Sequence, residues 1–289
     1  MVADYPKQLR ISGQAPNNEW EKISKIRNGG LQRPRVIRYE VIDNIEDIKK
    51  CLRLRYITYS YVNFIEENKD RLDIDPYDPY STFLGAYDVT GEKKILVGTL
   101  RIISADDTSK SSKHTNNLIH TAHDPKIRKM GDRPELFPIM ESFTLPESYL
   151  ACFRNSESSE NLLHPYELSR LAIRPDYWMH NIDVGLHHLL ILNSWMHNPP
   201  HNYFFIAVHP RSRRRYEQVG FKIVTGTGEV LYKHIEQLAI AMVLDLEKYL
   251  QRPKSYRKIC ESLLPQYENH GYFSRIIERR EPVKNSKLL

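Results

Sequence analysis

The stretch from Glu167 to Phe221 decides the fold. It opens with Glu167-Leu168-Ser169-Arg170-Leu171-Ala172-Ile173, continues through Tyr203-Phe204-Phe205-Ile206-Ala207-Val208, and closes with Arg213-Arg214-Arg215-Tyr216-Glu217-Gln218-Val219-Gly220-Phe221. The first run alternates as a strand should. Between the first two runs, Ile182–Met196 places Ile182, Leu186, Leu189, Leu190 and Asn193 on one side of a helix. The second run is apolar throughout and ends at His209-Pro210, which reads as a fully buried strand. A short helix over Ser212–Val219 stops at Gly220. Strand, helix, strand and helix in this order form an α/β unit.

Upstream, Val36–Ile42 is rich in β-branched residues and predicts a strand. Asp43 or Asn44 caps the next helix, with Glu46 in its first turn. On that helix Ile45, Ile48, Leu52, Arg55 and Tyr59 recur at steps of three and four, so an arginine lies in the inward stripe. A buried arginine is either a satisfied structural pair or a site residue. The loop Leu72-Asp73-Ile74-Asp75-Pro76-Tyr77-Asp78-Pro79 follows, then strands over Thr82–Asp88 and Lys94–Ile103 joined by a turn at Thr90-Gly91-Glu92. Residues 104–135 read as a polar surface excursion, and Phe137–Leu150 has no clear period.

Downstream, Phe221–Val224 and Val230–Lys233 suggest a hairpin, Ile235–Leu250 a helix broken by Pro253, and 254–289 a charged helical tail. The expected organisation is an arm over 1–32, one mixed α/β domain over 33–234, and a helical extension over 235–289. The tail is expected to pack on the core or on a second subunit, as in a homodimer.

Bulk properties narrow the function classes. The 289 residues are 40% hydrophobic and 27% charged, an ordinary globular balance. No run approaches the ~18–20 apolar residues of a membrane span. The first residues, Met1-Val2-Ala3-Asp4-Tyr5, lack the basic-then-apolar pattern of a secretory signal, and Cys51, Cys152 and Cys260 are few and far apart. A cytoplasmic protein without disulfides is expected. The net charge of +6 comes from scattered basic residues, densest at Arg211, Arg213, Arg214 and Arg215. That cluster is a solvated helix face or a docking patch; no nucleic-acid partner is expected. His120-x-x-His123 and His187-His188 lack partners at ligand spacing, so no metal is expected. His209 is a strand-end residue or a proton shuttle.

The Glu167–Phe221 unit resembles the GNAT superfamily, in which two central strands splay apart and the donor's pantetheine arm lies in the gap. Tyr216-Glu217-Gln218-Val219-Gly220-Phe221 is similar to the segment in which a tyrosine faces the departing thiolate. The resemblance implies Tyr216 as general acid; packing on the sheet is the alternative. Arg55, then Asp75-Pro76-Tyr77-Asp78, then Gly98-Thr99-Leu100-Arg101, then Glu167-Leu168-Ser169-Arg170 come in an order similar to acyl-homoserine-lactone synthases and bacterial N-acyl amino acid synthases. This resemblance implies an α/β fold with a mixed, mostly antiparallel sheet, splayed middle strands and helices on both faces. It also implies transfer of a fatty acyl group from a thioester to an amine.

Such chemistry needs a base for the ammonium, donors for the oxyanion and a proton for the sulfur. By the resemblance, Glu167 is the base once burial raises its pKa, and backbone N–H groups at Leu171, Ala172 and Ile173 meet the donor. Arg55, Arg101 and Arg170 oppose Asp75, Asp78 and Glu167. They form an acceptor pocket in which an arginine clamps a carboxylate, or a purely structural network. Two departures set the substrates. Where homoserine-lactone synthases carry a Phe and a Trp for a nucleoside sulfonium, this chain has Tyr59 and an apolar residue near Ile65, which favours an amino acid acceptor. The loop Arg174–Gly185 has one glycine, Gly185, and two acids, a poor nest for a pyrophosphate. That suits phosphopantetheine on an acidic acyl carrier protein rather than acyl-CoA, with the arginine cluster as its dock and no cofactor beyond the thioester substrate.

Overall fold

The computed structural model describes residues 34–62, 64–104, 112–130, 137–154, 165–196, 203–232, 237–251 and 256–278; the expected arm over 1–32 lies outside them. The described elements are β1 (Arg35–Ile42), α1 (Ile45–Tyr61), β2 (Ser81–Asp88), β3 (Ile95–Ser104), α2 (Ser112–Thr121), α3 (Pro125–Arg128), α4 (Pro138–Ser142), α5 (Glu147–Arg154) and β4 (Pro165–Ile173). They continue with α6 (Ile182–Met196), β5 (Tyr203–Val208), α7 (Arg213–Gln218), β6 (Lys222–Ile223), β7 (Glu229–Tyr232), β8 (Gln237–Asp245), α8 (Leu246–Leu250), α9 (Tyr256–His270) and β9 (Tyr272–Ile277).

The strands form one sheet in the order β6-β8-β5-β4-β3-β2-β1-β9, with β7 also on β8. Among the described pairings, β4–β5 is parallel and the rest are antiparallel. This is the mixed, mostly antiparallel sheet expected.

Alternation along the strands sorts two faces. Leu84, Tyr166, Leu168, Phe204, Ile206, Met242 and Leu244 join the core beneath α6. Their neighbours face the other way: Phe83 toward α1, and Phe205, Ala241 and Val243 toward α4 and α5. Helix α1 starts where the sequence placed its cap: the Asn44 side chain accepts from the Asp47 N–H at 2.9 Å. Helix α6 is buried nearly all round, which its apolar composition requires.

Three expectations are corrected. The expected helix Ile235–Leu250 is present only at its end, as α8 over Leu246–Leu250: β8 occupies Gln237–Asp245 and pairs with β5 over six residues, Tyr203↔Asp245 to Val208↔Ile240. The apolar run Leu238–Leu244 fits a helix and a two-face-buried strand equally well, and only a place inside the sheet resolves it. The tail is helical over α9 but then adds β9, an edge strand on β1. Finally, β6 and β7 each pair with β8 and not with each other, so the expected hairpin is replaced by one between β7 and β8, from Glu229↔Ile240 to Tyr232↔Gln237. In the 104–135 excursion, α2 and α3 bring Ile119, Ala122 and Ile127 into the core under α1. Among the described residues no helix is long and apolar enough to cross a membrane.

Candidate active site

Strands β4 and β5 pair at Pro165↔Tyr203, Tyr166↔Phe204 and Glu167↔Phe205, and then part. A bulge in β4 accompanies the parting. Thr99 of β3 opposes Ala172 and Arg101 opposes Ser169, so Leu100 alone faces the two residues Arg170 and Leu171. Arg170 absorbs the extra residue in the left-handed region at φ 55°, which is costly for a side chain of its size. Beyond Glu167, β4 has no strand partner on its β5 side among the described residues. The opening is a cleft of about 350 Å³ that passes between the two strands.

One side of the cleft is an ion-pair ring. Arg55 donates to Asp73 at 2.8 Å and to both oxygens of Asp78 at 2.7 and 3.2 Å. Arg101 donates to Asp75 at 2.5 Å, Asp78 at 2.9 Å and the Ser169 hydroxyl at 3.0 Å. Arg170 donates Nε and Nη2 to Asp75 at 3.2 and 3.0 Å, with Asp73 at 3.6 Å. Three cations thus meet three anions, mostly out of water. Burial alone would raise the carboxyl pKa values, but the guanidiniums of Arg101, Arg170 and Arg55 hold Asp75 well below the carboxylate range, and Arg170 and Arg55 lower that of Asp73. Asp75 and Arg170 are the ring members with solvent access, at 15% and 14% of their side chains. Arg170 Nη1 makes no hydrogen bond among the described residues.

Glu167 sits where the strands part, fully buried. One carboxyl oxygen accepts from the Ile139 N–H at 2.9 Å and the other from the Tyr232 hydroxyl at 3.4 Å. Burial pushes its pKa up to about 8, against the opposing pull of the Ile139 N–H and of Arg101. A carboxyl tuned to that range is suited to general base work near neutral pH.

The α6 side of the cleft carries Tyr216 and His187. Their rings meet edge-on with centroids 5.9 Å apart, and both pack on Phe221. His187 Nδ1 lies 2.7 Å from the Asp183 carbonyl oxygen one helical turn earlier. Burial lowers the His187 pKa, so the ring is neutral. Aromatic residues Tyr59 and Phe64 line the acceptor side, with ring centroids 6.2 Å apart. Tyr59 donates to the Leu171 carbonyl oxygen at 3.2 Å, across the cleft mouth.

Of the residues singled out from the sequence, Asp75, Arg101, Glu167, Arg170, Leu171 and Tyr216 line the cleft. Arg55 and Asp78 support it from behind as ring members. Ala172 and Ile173 are buried beside β3 and do not line it. Gly185 does not line the cleft: a Cβ there would collide with the Tyr39 ring, so its glycine serves helix-to-sheet packing. The arginine cluster is divided. Arg215 is bonded through two nitrogens to Asp183 and Arg213 to Glu217 at 2.7 Å, whereas Arg211 and Arg214 are exposed without an ion pair among the described residues. Sequence reasoning missed Asp73, Phe64, Tyr232 and His187. Asp73 stands in the quoted acidic loop and Phe64 beside Ile65, so both had a signal; Tyr232 and His187 are made site residues only by folding.

Residues 54–135 match the family model described as an acetyltransferase (GNAT) domain, a span that holds most of the ring but not β4, β5 or α6. No curated protein matches the sequence significantly. Among solved structures, the fold is similar to FeeM, described as an N-acyl amino acid synthase from uncultured soil microbes, at 16% identity and a TM-score of 0.46 over 75% of this chain and 94% of that one. It is similar to the acyl-homoserine-lactone synthase LasI at 12% identity and a TM-score of 0.45, over 74% of this chain and 91% of that one. For the CoA-dependent acyl-homoserine lactone synthase BjaI, with SAM and isopentyl-CoA, the values are 14% and 0.45, over 81% and 90%.

Proposed function

We propose that this chain, a GNAT-type acyltransferase, moves a fatty acyl group from a phosphopantetheine thioester on an acyl carrier protein to the amine of an amino acid. The observation that carries the reading is the cleft between β4 and β5, with Glu167 at its closed end and Tyr216 on its wall.

The thioester enters the gap with its carbonyl beside the unpaired edge of β4, whose backbone N–H groups fit the developing oxyanion. The acceptor's ammonium gives one proton to ionised Glu167 and attacks as the free amine, forming the C–N bond. Collapse breaks the C–S bond. The sulfur takes a proton from Tyr216, and the nitrogen's second proton returns to the tyrosine. One proton leaves through Glu167, which balances the step. Arg170 Nη1 is the open donor for an acceptor carboxylate.

Carrier protein is favoured over CoA by the entry to α6. Asp176 is paired with Arg174 and Asp183 with Arg215, so acids stand where a pyrophosphate would need N–H groups. Exposed Arg211 and Arg214 flank His209 and Ser212 at the cleft mouth and suit an acidic carrier. A second reading, acyl-homoserine-lactone synthesis, is favoured by the Tyr59–Phe64 aromatic pair, which could receive a sulfonium.

The test is a mass-spectrometric product assay with acyl carrier proteins of several chain lengths, pooled amino acids and, separately, S-adenosylmethionine. An acyl amino acid is expected. Its kcat/KM should rise with pH through about 8 as Glu167 ionises. Glu167→Gln should remove that limb and lower kcat ~10²–10⁴-fold. A homoserine lactone would promote the second reading, and thioester binding without any product would overturn both.

A further inference from the structure

The hydrogen-bonding role of His187 is set by its own helix. Its Nδ1 is 2.7 Å from the Asp183 carbonyl oxygen, which can only accept, so Nδ1 carries the proton. A neutral imidazole has a single N–H. Nε2 is therefore a bare lone pair, and it makes no hydrogen bond among the described residues. The ring cannot turn away: Tyr216 and Phe221 hold it edge-on at centroid distances of 5.9 and 6.1 Å. Behind it, Asp183 is gripped by Arg215, which anchors the turn that supplies the carbonyl.

Several neighbouring side chains offer nothing to an N–H donor. Leu168, Leu171, Ile206 and Val208 are apolar, and His209 Nδ1 already accepts from the Arg211 N–H at 3.1 Å. A thioester arm of the phosphopantetheine type carries amide N–H groups on the side of the sulfur away from the acyl group, and each must find an acceptor once it leaves water. His187 can accept and cannot donate, so it is matched to an N–H and not to a thiolate or a carbonyl.

We propose that His187 Nε2 accepts a hydrogen bond from an amide N–H of the donor's thioester arm, making it a substrate-binding residue that reads the arm. This rests on the proposed transfer from a pantetheine-type thioester.

The test compares two short acyl donors that differ at one atom. One is the acyl thioester of N-acetylcysteamine; the other is the acyl thioester of 2-mercaptoethyl acetate, in which an ester oxygen replaces the amide N–H. The wild-type enzyme should prefer the amide by about fivefold in kcat/KM, expressed in KM. His187→Phe should lose that preference, and His187→Gln, which keeps an acceptor, should retain part of it. On the wild-type protein, the Nε2 ¹⁵N resonance should shift when a non-transferable amide thioether is added and stay in place with the ester. A His187→Phe enzyme with the full preference would overturn the proposal, as would an unmoved resonance with the amide bound. Wild-type turnover without preference removes this inference alone. Absence of transfer from either short thioester and from acyl carrier protein removes the underlying reading as well.

Discussion

The ion-pair ring and the α6 wall of the cleft are both buried, polar and within one cleft, yet they differ in valence. In the ring, Arg55 is fully buried and spent on Asp73 and Asp78, and Arg101 is spent on Asp75, Asp78 and Ser169. On the wall, His187 keeps an unused lone pair, and at the closed end Glu167 holds a carboxyl raised to about 8. A saturated network stabilises one arrangement of a loop against a sheet. A group with an open valence is available to a ligand. Burial and charge alone would have ranked Arg55 first as a site residue; counting bonds moves it behind His187 and Arg170.

The largest test of this contrast is removal of a ring cation. Arg55→Ala leaves Asp73 and Asp78 without their buried partner and should cost about 3–5 kcal/mol of stability, read by urea denaturation. His187→Phe should cost far less, and a ring variant as stable as the wall variant would dissolve the distinction. Intermediate in size is Gly185→Ala. Its methyl group would press into the Tyr39 ring beneath α6, two residues before His187, and should cost about 1–3 kcal/mol by overpacking. Thermal denaturation checks the cost. A raised KM for the donor in the same variant would show that the seat of α6 sets the wall. Smallest is the double change Arg211→Glu with Arg214→Glu at the exposed mouth, which should raise the KM for acyl carrier protein roughly fivefold at low salt and less at high salt. Short thioesters without a carrier should be used equally well by both enzymes, and an unchanged carrier KM would leave those arginines as plain surface.

Much of the cleft was legible in the chain. Asp75, Arg101, Glu167, Arg170 and Tyr216 were singled out by residue type and order, and the fold brings all of them to one opening. The arginine in the inward stripe of α1 was legible as well, because a charge in an apolar stripe has to be paired. Less was legible where one local pattern serves two ends. Gly185 read as the single glycine of a loop on the donor side, but its missing side chain answers to Tyr39 on the distant strand β1. Arg215 read as one of four docking cations, but its guanidinium turns back to Asp183.

By itself the sequence determined the α/β unit from Glu167 to Phe221 and a helix cap at Asp43 or Asn44. These follow from periodicity, caps and charge, which act over a few residues. Tertiary structure alone decided that Leu238–Leu244 is a central strand, that the tail returns as β9, and that β4 and β5 part at Glu167. It also decided the pKa of Glu167 and the free lone pair of His187. An apolar run satisfies helix and strand periods alike, and desolvation depends on every atom packed around a group. Neither is a local property, so each is settled only when distant segments meet.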